Sequence, residues 1–200
     1  MSGSEAEVRI RTKAERLLRD LFPDARIIHE FDLGGVRLDL AAATDDRLVL
    51  VEIKSERDTL TRLERQVSGA KYVGCLVLVM VAERWVGKIP HLYGNAITMV
   101  EDGEGFTCFA GAQHRYPLQG HHLDPRHDRY NNRALMGLLL KPELLALARP
   151  FGGKTKQDVG NLQAIVHENL TGREIRRGVM AALRRRRFGW TCDAPVEMAA

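Results

Sequence analysis

The sequence predicts an α/β fold: a mixed central sheet flanked by helices, with a helical module at the C-terminal end. Three observations carry this. Two continuous apolar runs, Leu48–Val51 and Cys75–Ala82, have the length and composition of strands buried on both faces. Helix-period stripes lie on either side of the first run, over residues 5–21 and from Asp58 or Thr59 to about Tyr72. From Arg133 onward the apolar spacing is helical almost throughout.

Taken in order, Val8, Ala14, Leu17, Leu18 and Leu21 form the stripe of the first helix, and Pro23 follows its end. A strand from Arg26 to Leu33 closes at Gly34-Gly35, a second runs from Val36 to about Ala42, and Asp45-Asp46 turns it into a third, Arg47 to Lys54. Gly-Gly and Asp-Asp both suit tight turns, so these strands read as an antiparallel meander. In the next helix Leu60, Leu63, Val67 and Ala70 face the core, Tyr72 is expected there too, and Gly74 ends it. Cys75 to Ala82 is the fourth strand, giving the order α-β-β-β-α-β. Ala96–Val100 and Phe106–Ala110 fit a hairpin about Asp102-Gly103, and residues 111–132 read as a loop or linker. Beyond it, Pro142 breaks or restarts a helix, Pro150 with Gly152-Gly153 marks a break, and a helix is expected from Thr155 to Asn169. Thr171-Gly-Arg-Glu174 is a capping box opening a last helix to about Arg187. The organisation expected is a core over 1–110, the linker over 111–132, and a basic helical module over 133–200.

Composition excludes several classes. With 44% hydrophobic and 28% charged residues the chain is an ordinary globular one. Its longest apolar run is too short to span a bilayer, and Met1–Arg11 has no signal-peptide core, so a cytoplasmic protein without membrane contact is expected. The three cysteines are scattered with no C-x-x-C pair, which argues against a zinc ribbon or a disulfide framework. The net charge of +4 is unevenly spread: residues 1–130 have 18 basic against 20 acidic side chains, residues 131–200 have 12 against 6. A basic C-terminal third suits a polyanionic partner. It equally suits a basic helical tail that binds none.

The chemistry concentrates where the apolar third strand turns into Glu52-Ile53-Lys54. Charged groups are rarely buried unless paired or bound to a metal. Alternation puts Glu52 and Lys54 on one face, with Ile53 on the other. On the second strand Arg37 and Asp39 share a face opposite Val36, Leu38 and Leu40. Pairing through the Asp45-Asp46 turn sets Asp39 beside Glu52. Two neighbouring carboxylates repel unless a cation lies between them, and such hard oxygen ligands suit Mg²⁺ or Mn²⁺. Lys54 then stands ready to orient a water or stabilise a phosphorane-like charge.

Asp39, twelve intervening residues and Glu52-Ile53-Lys54 on adjacent strands resemble the core motif of the PD-(D/E)XK nuclease superfamily, with Leu38 in place of the motif's proline. The α-β-β-β-α-β order is similar to its restriction-endonuclease-like core. The stretch Glu52-Ile-Lys-Ser-Glu-Arg-Asp-Thr-Leu-Thr-Arg-Leu-Glu-Arg-Gln66 further resembles a small, mostly uncharacterised bacterial and phage branch with the pattern E-I-K-S-x-x-D-T-L-x-R-L-x-x-Q. The similarity spans about residues 8–90, and the later helices match more loosely.

The resemblance implies a Mg²⁺- or Mn²⁺-dependent nuclease acting on DNA. Asp39 and Glu52 would be metal ligands with the Ile53 carbonyl as a third, and Lys54 would be catalytic. Glu30 would be the first-strand acid, with Glu15 on the first helix as its alternative; a solvated acid is the plain reading of either. Gln66, sharing a helix face with Arg62, would position the water or the scissile phosphate, and Arg62 would meet nucleic acid. Arg184, Arg185, Arg186 and Arg187, followed by Phe188 and Trp190, fit a phosphate grip with stacking aromatics, or equally a basic helix end with a docked Trp. A homodimer or a partner subunit is a further expectation. The competing reading is a non-catalytic or partner-dependent nucleic-acid-binding module on the same fold. The cluster His121-His-Leu-Asp-Pro-Arg-His127-Asp128 matches no zinc spacing and reads as a solvated loop. Gly153-Lys-Thr155 lacks the upstream glycine and strand of a phosphate-binding loop.

Overall fold

The computed structural model describes residues 5–89, 96–110 and 114–196. Seven strands form one mixed sheet in sequence order: β1 (Arg26–Asp32), β2 (Arg37–Ala43), β3 (Leu48–Lys54), β4 (Leu76–Val81), β5 (Ala96–Asp102), β6 (Gly105–Ala110) and β7 (His114–Tyr116). β1, β2 and β3 are antiparallel, β3, β4 and β5 run parallel, and β5 to β7 return antiparallel. The meander, the helix between β3 and β4 and the hairpin about Asp102-Gly103 are as expected. The flanking helices are α1 (Glu5–Leu21), α2 (Leu63–Val73), α3 (Asn132–Met136), α4 (Lys141–Ala148), α5 (Val159–Asn169) and α6 (Gly172–Arg185). The α/β class with C-terminal helices is therefore the observed one.

β3 and β4 are buried along their whole lengths, as their apolar runs predict. Each Val or Leu fully removed from water there contributes about 1.5–3 kcal/mol. One continuous apolar core runs from Ile10 of α1 through the sheet to Leu183 of α6. Among the described residues no helix is long and apolar enough to cross a membrane.

Several elements differ from expectation. In α1 the buried stripe is Ile10, Ala14 and Leu18, while Val8 is 53% exposed. α2 begins at Leu63 rather than near Asp58, because the Asp58 carboxylate turns back to accept from Ser55 N–H (2.7 Å) and Ser55 Oγ (2.6 Å), making a separate turn. Tyr72 is not in the core; it is 67% exposed. The stretch read as a loop over 111–132 includes β7 and two 3-10 turns, with 111–113 outside the described residues. Its Asp128 pairs with buried Arg47 (2.9 Å), tying it to the sheet. α5 starts at Val159, where the Asp158 side chain accepts from Asn161 N–H (2.8 Å), four residues after the expected Thr155. The predicted capping box is present: Glu174 Oε2 accepts from Thr171 N–H at 2.8 Å.

The C-terminal segment folds back onto the sheet. His29 N–H donates to Thr191 carbonyl (3.1 Å), Asp193 N–H to Ile27 carbonyl (2.9 Å), and Cys192 bridges to Ile28. Fully buried Arg26 anchors it, donating to the carbonyls of Leu183 (2.9 Å), Arg184 (3.0 Å), Arg186 (2.6 Å) and Asp193 (3.0 Å). Those four acceptors are what make a buried guanidinium tolerable there.

Candidate functional site

The register sets up the site. His29 pairs with Leu40 and Phe31 with Leu38, so Glu30 lies opposite Asp39; Leu40 pairs with Val51, so one step on Asp39 lies opposite Glu52. Directly opposed residues share a face of the sheet. Glu30, Asp39 and Glu52 thus form a cross-strand row on β1, β2 and β3, with Lys54 two residues beyond Glu52. At this row the β2–β3 ladder gives way: Ile53 N–H donates to Asp39 Oδ2 (2.7 Å). Lys54 carbonyl accepts from Ala82 N–H (2.8 Å) on the β4 side, so by strand alternation the Ile53 carbonyl faces β2, beside Asp39.

Glu52 and Lys54 are 1% and 5% exposed. Lys54 Nζ donates to Glu52 Oε1 (2.6 Å) and to Gln66 Oε1 (3.2 Å), while Gln66 Nε2 donates to the Arg37 carbonyl (3.2 Å). α2 therefore brings Gln66 to Lys54. The second oxygen of Glu52, Oε2, is buried with no hydrogen-bond partner. Burial first, and then the nearby Asp39 carboxylate, push the Glu52 pKa up to about 8 against the pull of Lys54. Burial likewise raises Asp39, opposed by the Ile53 N–H and the Arg11 guanidinium. The row opens into a cleft of about 600 Å³ whose lining includes Glu7, Glu30, Arg37, Asp39, Glu52, Ile53, Lys54, Arg62, Arg65 and Gln66. Arg37, Arg62 and Arg65 are exposed at its walls.

A divalent cation fits these residues. A buried carboxylate oxygen without a hydrogen-bond partner lies beside a second carboxylate, and Asp39, Glu52 and the Ile53 carbonyl offer the hard oxygens such an ion takes. Among the described residues no group of three or more His, Cys, Asp or Glu side chains is arranged to hold an ion.

Other expected residues fall elsewhere. Glu30 is in the row, but its oxygens are taken by Arg11 (3.2 Å) and Arg37 (3.1 Å), and its backbone has φ +49°, an uncommon conformation for a side-chain-bearing residue. Glu15 is away from the row, beside His29 Nε2 (3.3 Å). Arg62 and Gln66 are brought together at the cleft. Arg184–Arg187 are not. Arg184 is buried against Asp45 and the Asp24 carbonyl (3.2 Å), and Arg186 is bound to Glu143 (2.8 Å) and the Leu138 carbonyl (2.7 Å). Arg185 and Arg187 are exposed, and Trp190 packs on Phe188 with ring centres 5.2 Å apart.

Sequence reasoning missed Arg11, which reaches from α1 to Glu7 (2.8 Å), Glu30 and Asp39 (3.4 Å), and it missed Glu7, the α1 acid that lines the cleft. Their i, i+4 spacing was the available signal, but such pairs are common on solvated helix faces.

Fold and cleft together define an α/β protein with a buried acid–lysine pair at the end of its central strand. The chain belongs to the family described as Bacteriophage P4 protein cII, whose pattern matches residues 4–198. Among curated proteins none matches. A solved structure with some similarity is the SPO1766 protein of unknown function from Silicibacter pomeroyi, 15% identical with a TM-score of 0.41, the likeness covering 78% of this chain and 100% of that one.

Proposed function

We propose that this protein is a Mg²⁺- or Mn²⁺-dependent nuclease of the PD-(D/E)XK type that hydrolyses phosphodiester bonds in DNA in the cytoplasm. The observation that carries the reading is the buried Glu52–Lys54 pair, set beside Asp39, with Glu52 Oε2 left without a partner at the wall of an open cleft. Burying such a pair is costly, and groups perturbed in this way cluster at functional sites.

In this reading Asp39, Glu52 and the Ile53 carbonyl hold the cation. When bound, such an ion lowers the pKa of water and offsets charge on the phosphoryl oxygens. The remaining work falls to the chain. Lys54 has three donors and uses two, on Glu52 and Gln66, leaving one for a phosphate oxygen or the attacking water. Gln66, tied to the Arg37 carbonyl, keeps Lys54 from folding wholly onto Glu52. Arg37, Arg62 and Arg65 supply positive charge along the cleft for the backbone of the substrate.

The test is cleavage of supercoiled plasmid and of linear single- and double-stranded DNA by wild type, Lys54→Ala and Asp39→Ala, in Mg²⁺, Mn²⁺ and EDTA. Metal-dependent cleavage that falls by about a hundredfold or more in either variant is expected, the loss typical of removing one transition-state contact. Cleavage untouched by both substitutions sinks the reading. One observation favours a non-catalytic or partner-dependent nucleic-acid-binding module instead: Lys54 and Arg11 already give Glu52 and Asp39 cationic neighbours. DNA binding that persists in EDTA, with no cleavage in either metal, would select it. Activity regained on co-purification with a second subunit would select its partner-dependent form.

A further inference from the structure

We propose that Arg11 is the resident counter-cation of this cleft, and that a divalent ion binds by displacing it from Asp39. The inference rests on the metal reading above. Arg11 comes from α1, outside the strands that carry the row, and its side chain is only 12% exposed. Its guanidinium is shared unequally: 2.8 Å to Glu7, 3.2 Å to Glu30 and 3.4 Å to Asp39. The contact to Asp39 is the longest of the three. Asp39 Oδ2 is already committed to Ile53 N–H, so Oδ1 is the oxygen that both Arg11 and an incoming ion would use.

Around the cleft Glu7, Glu30, Asp39 and Glu52 meet Arg11, Arg37 and Lys54. With Arg11 drawn off Asp39 onto Glu7 and Glu30, which it already contacts, Asp39 Oδ1 is free to face an ion. The unpartnered Glu52 Oε2, on a side chain 2% exposed, is the independent mark of where that charge is wanted. Arg37 holds the far oxygen of Glu30, and the φ of +49° there turns Glu30 out of the regular ladder, so Glu30 serves as the rest for Arg11.

The test is Mn²⁺ binding, read from free Mn²⁺ by electron paramagnetic resonance, together with thermal midpoints with and without Mn²⁺, on wild type, Arg11→Gln and Arg11→Lys. Removing a like charge beside the ion should tighten Mn²⁺ binding by about tenfold in Arg11→Gln, and enlarge its Mn²⁺-induced thermal shift, with Arg11→Lys in between. Mn²⁺ bound by wild type but no tighter by Arg11→Gln overturns the proposal, and Arg11 is then a residue that orients Asp39. No binding by any of the three overturns it together with the metal reading, so the two failures are told apart. If Arg11→Gln is unfolded without metal, recovery of the native circular dichroism on adding Mn²⁺ supports the proposal and lack of recovery overturns it.

Discussion

Glu52 has a carboxylate that folding takes out of water and sets beside Asp39. In the unfolded chain it titrates near 4.5; in the fold burial and Asp39 hold it up to about 8. Between those values the folded state binds a proton that the unfolded state has released, so stability falls as pH rises. The contribution is whole below about pH 4.5 and gone once pH passes about 8. In EDTA the wild-type melting temperature should therefore decline between pH 5 and pH 9 more steeply than that of Glu52→Gln. The difference in slope reads on the melting temperature at roughly 2–4 °C per kcal/mol for a domain of this size. Paired melts across that range decide it, and parallel slopes would mean that Glu52 is ionised at no cost. Residues that lower stability where they sit are concentrated at functional sites.

Elements show how far the sequence reaches. Strands buried on both faces were legible because a continuous apolar run has few other uses, and Asp39, Glu52 and Lys54 were legible because charge at the end of such a run needs an explanation. The start of α2 was not, since Asp58 suits a helix cap and a Ser55 turn equally, and only the contact distinguishes them. Nor was Tyr72 legible as exposed, as its helical position alone does not say which neighbour covers it. Arg11 and Glu7 join the row through tertiary packing of α1, which no local pattern encodes. The end of α2 makes a sharp prediction. Gly74 has φ +85°, and a Cβ there would lie 1.9 Å from the Arg129 carbonyl oxygen, while Arg129 N–H donates to the Gly74 carbonyl at 3.1 Å. Gly74→Ala must break that closure, and a loss of about 3 kcal/mol or more in urea unfolding is expected. A loss under about 1 kcal/mol would mean that the segment after β7 yields easily.

At the scale of the whole molecule the basic C-terminal end and the acidic row are far apart. Arg184 meets Asp45 in the β2–β3 turn, beyond the four residues, or about 13 Å, of strand that separate Asp39 from the end of β2. A duplex touching both would run along β2 for a path of roughly four base pairs or more. The arginines there divide by role. Arg186→Ala should cost about 2 kcal/mol of stability, because Glu143 and the Leu138 carbonyl lose their partner. Joint replacement of exposed Arg185 and Arg187 by alanine should leave the melting temperature within about a degree, since exposed sites of this kind rarely matter to stability. It should flatten the salt dependence of duplex binding by about two in log–log slope. An unchanged slope would confine the duplex to the cleft.

The tail bound along β1 also sets a timetable. Arg26 and its acceptor at Asp193 are separated by 167 positions. A ribosome adding about 5–20 residues per second needs roughly 8–33 s to cover that distance. Until about the last ten positions of that interval the outer margin of β1 is open and a guanidinium destined for the interior has none of its carbonyls to meet. The nascent chain therefore has a late closing step, and any stall or cleavage in the last helix strands the first strand with its side unpaired, where it is open to chaperones, proteases or another unfinished copy.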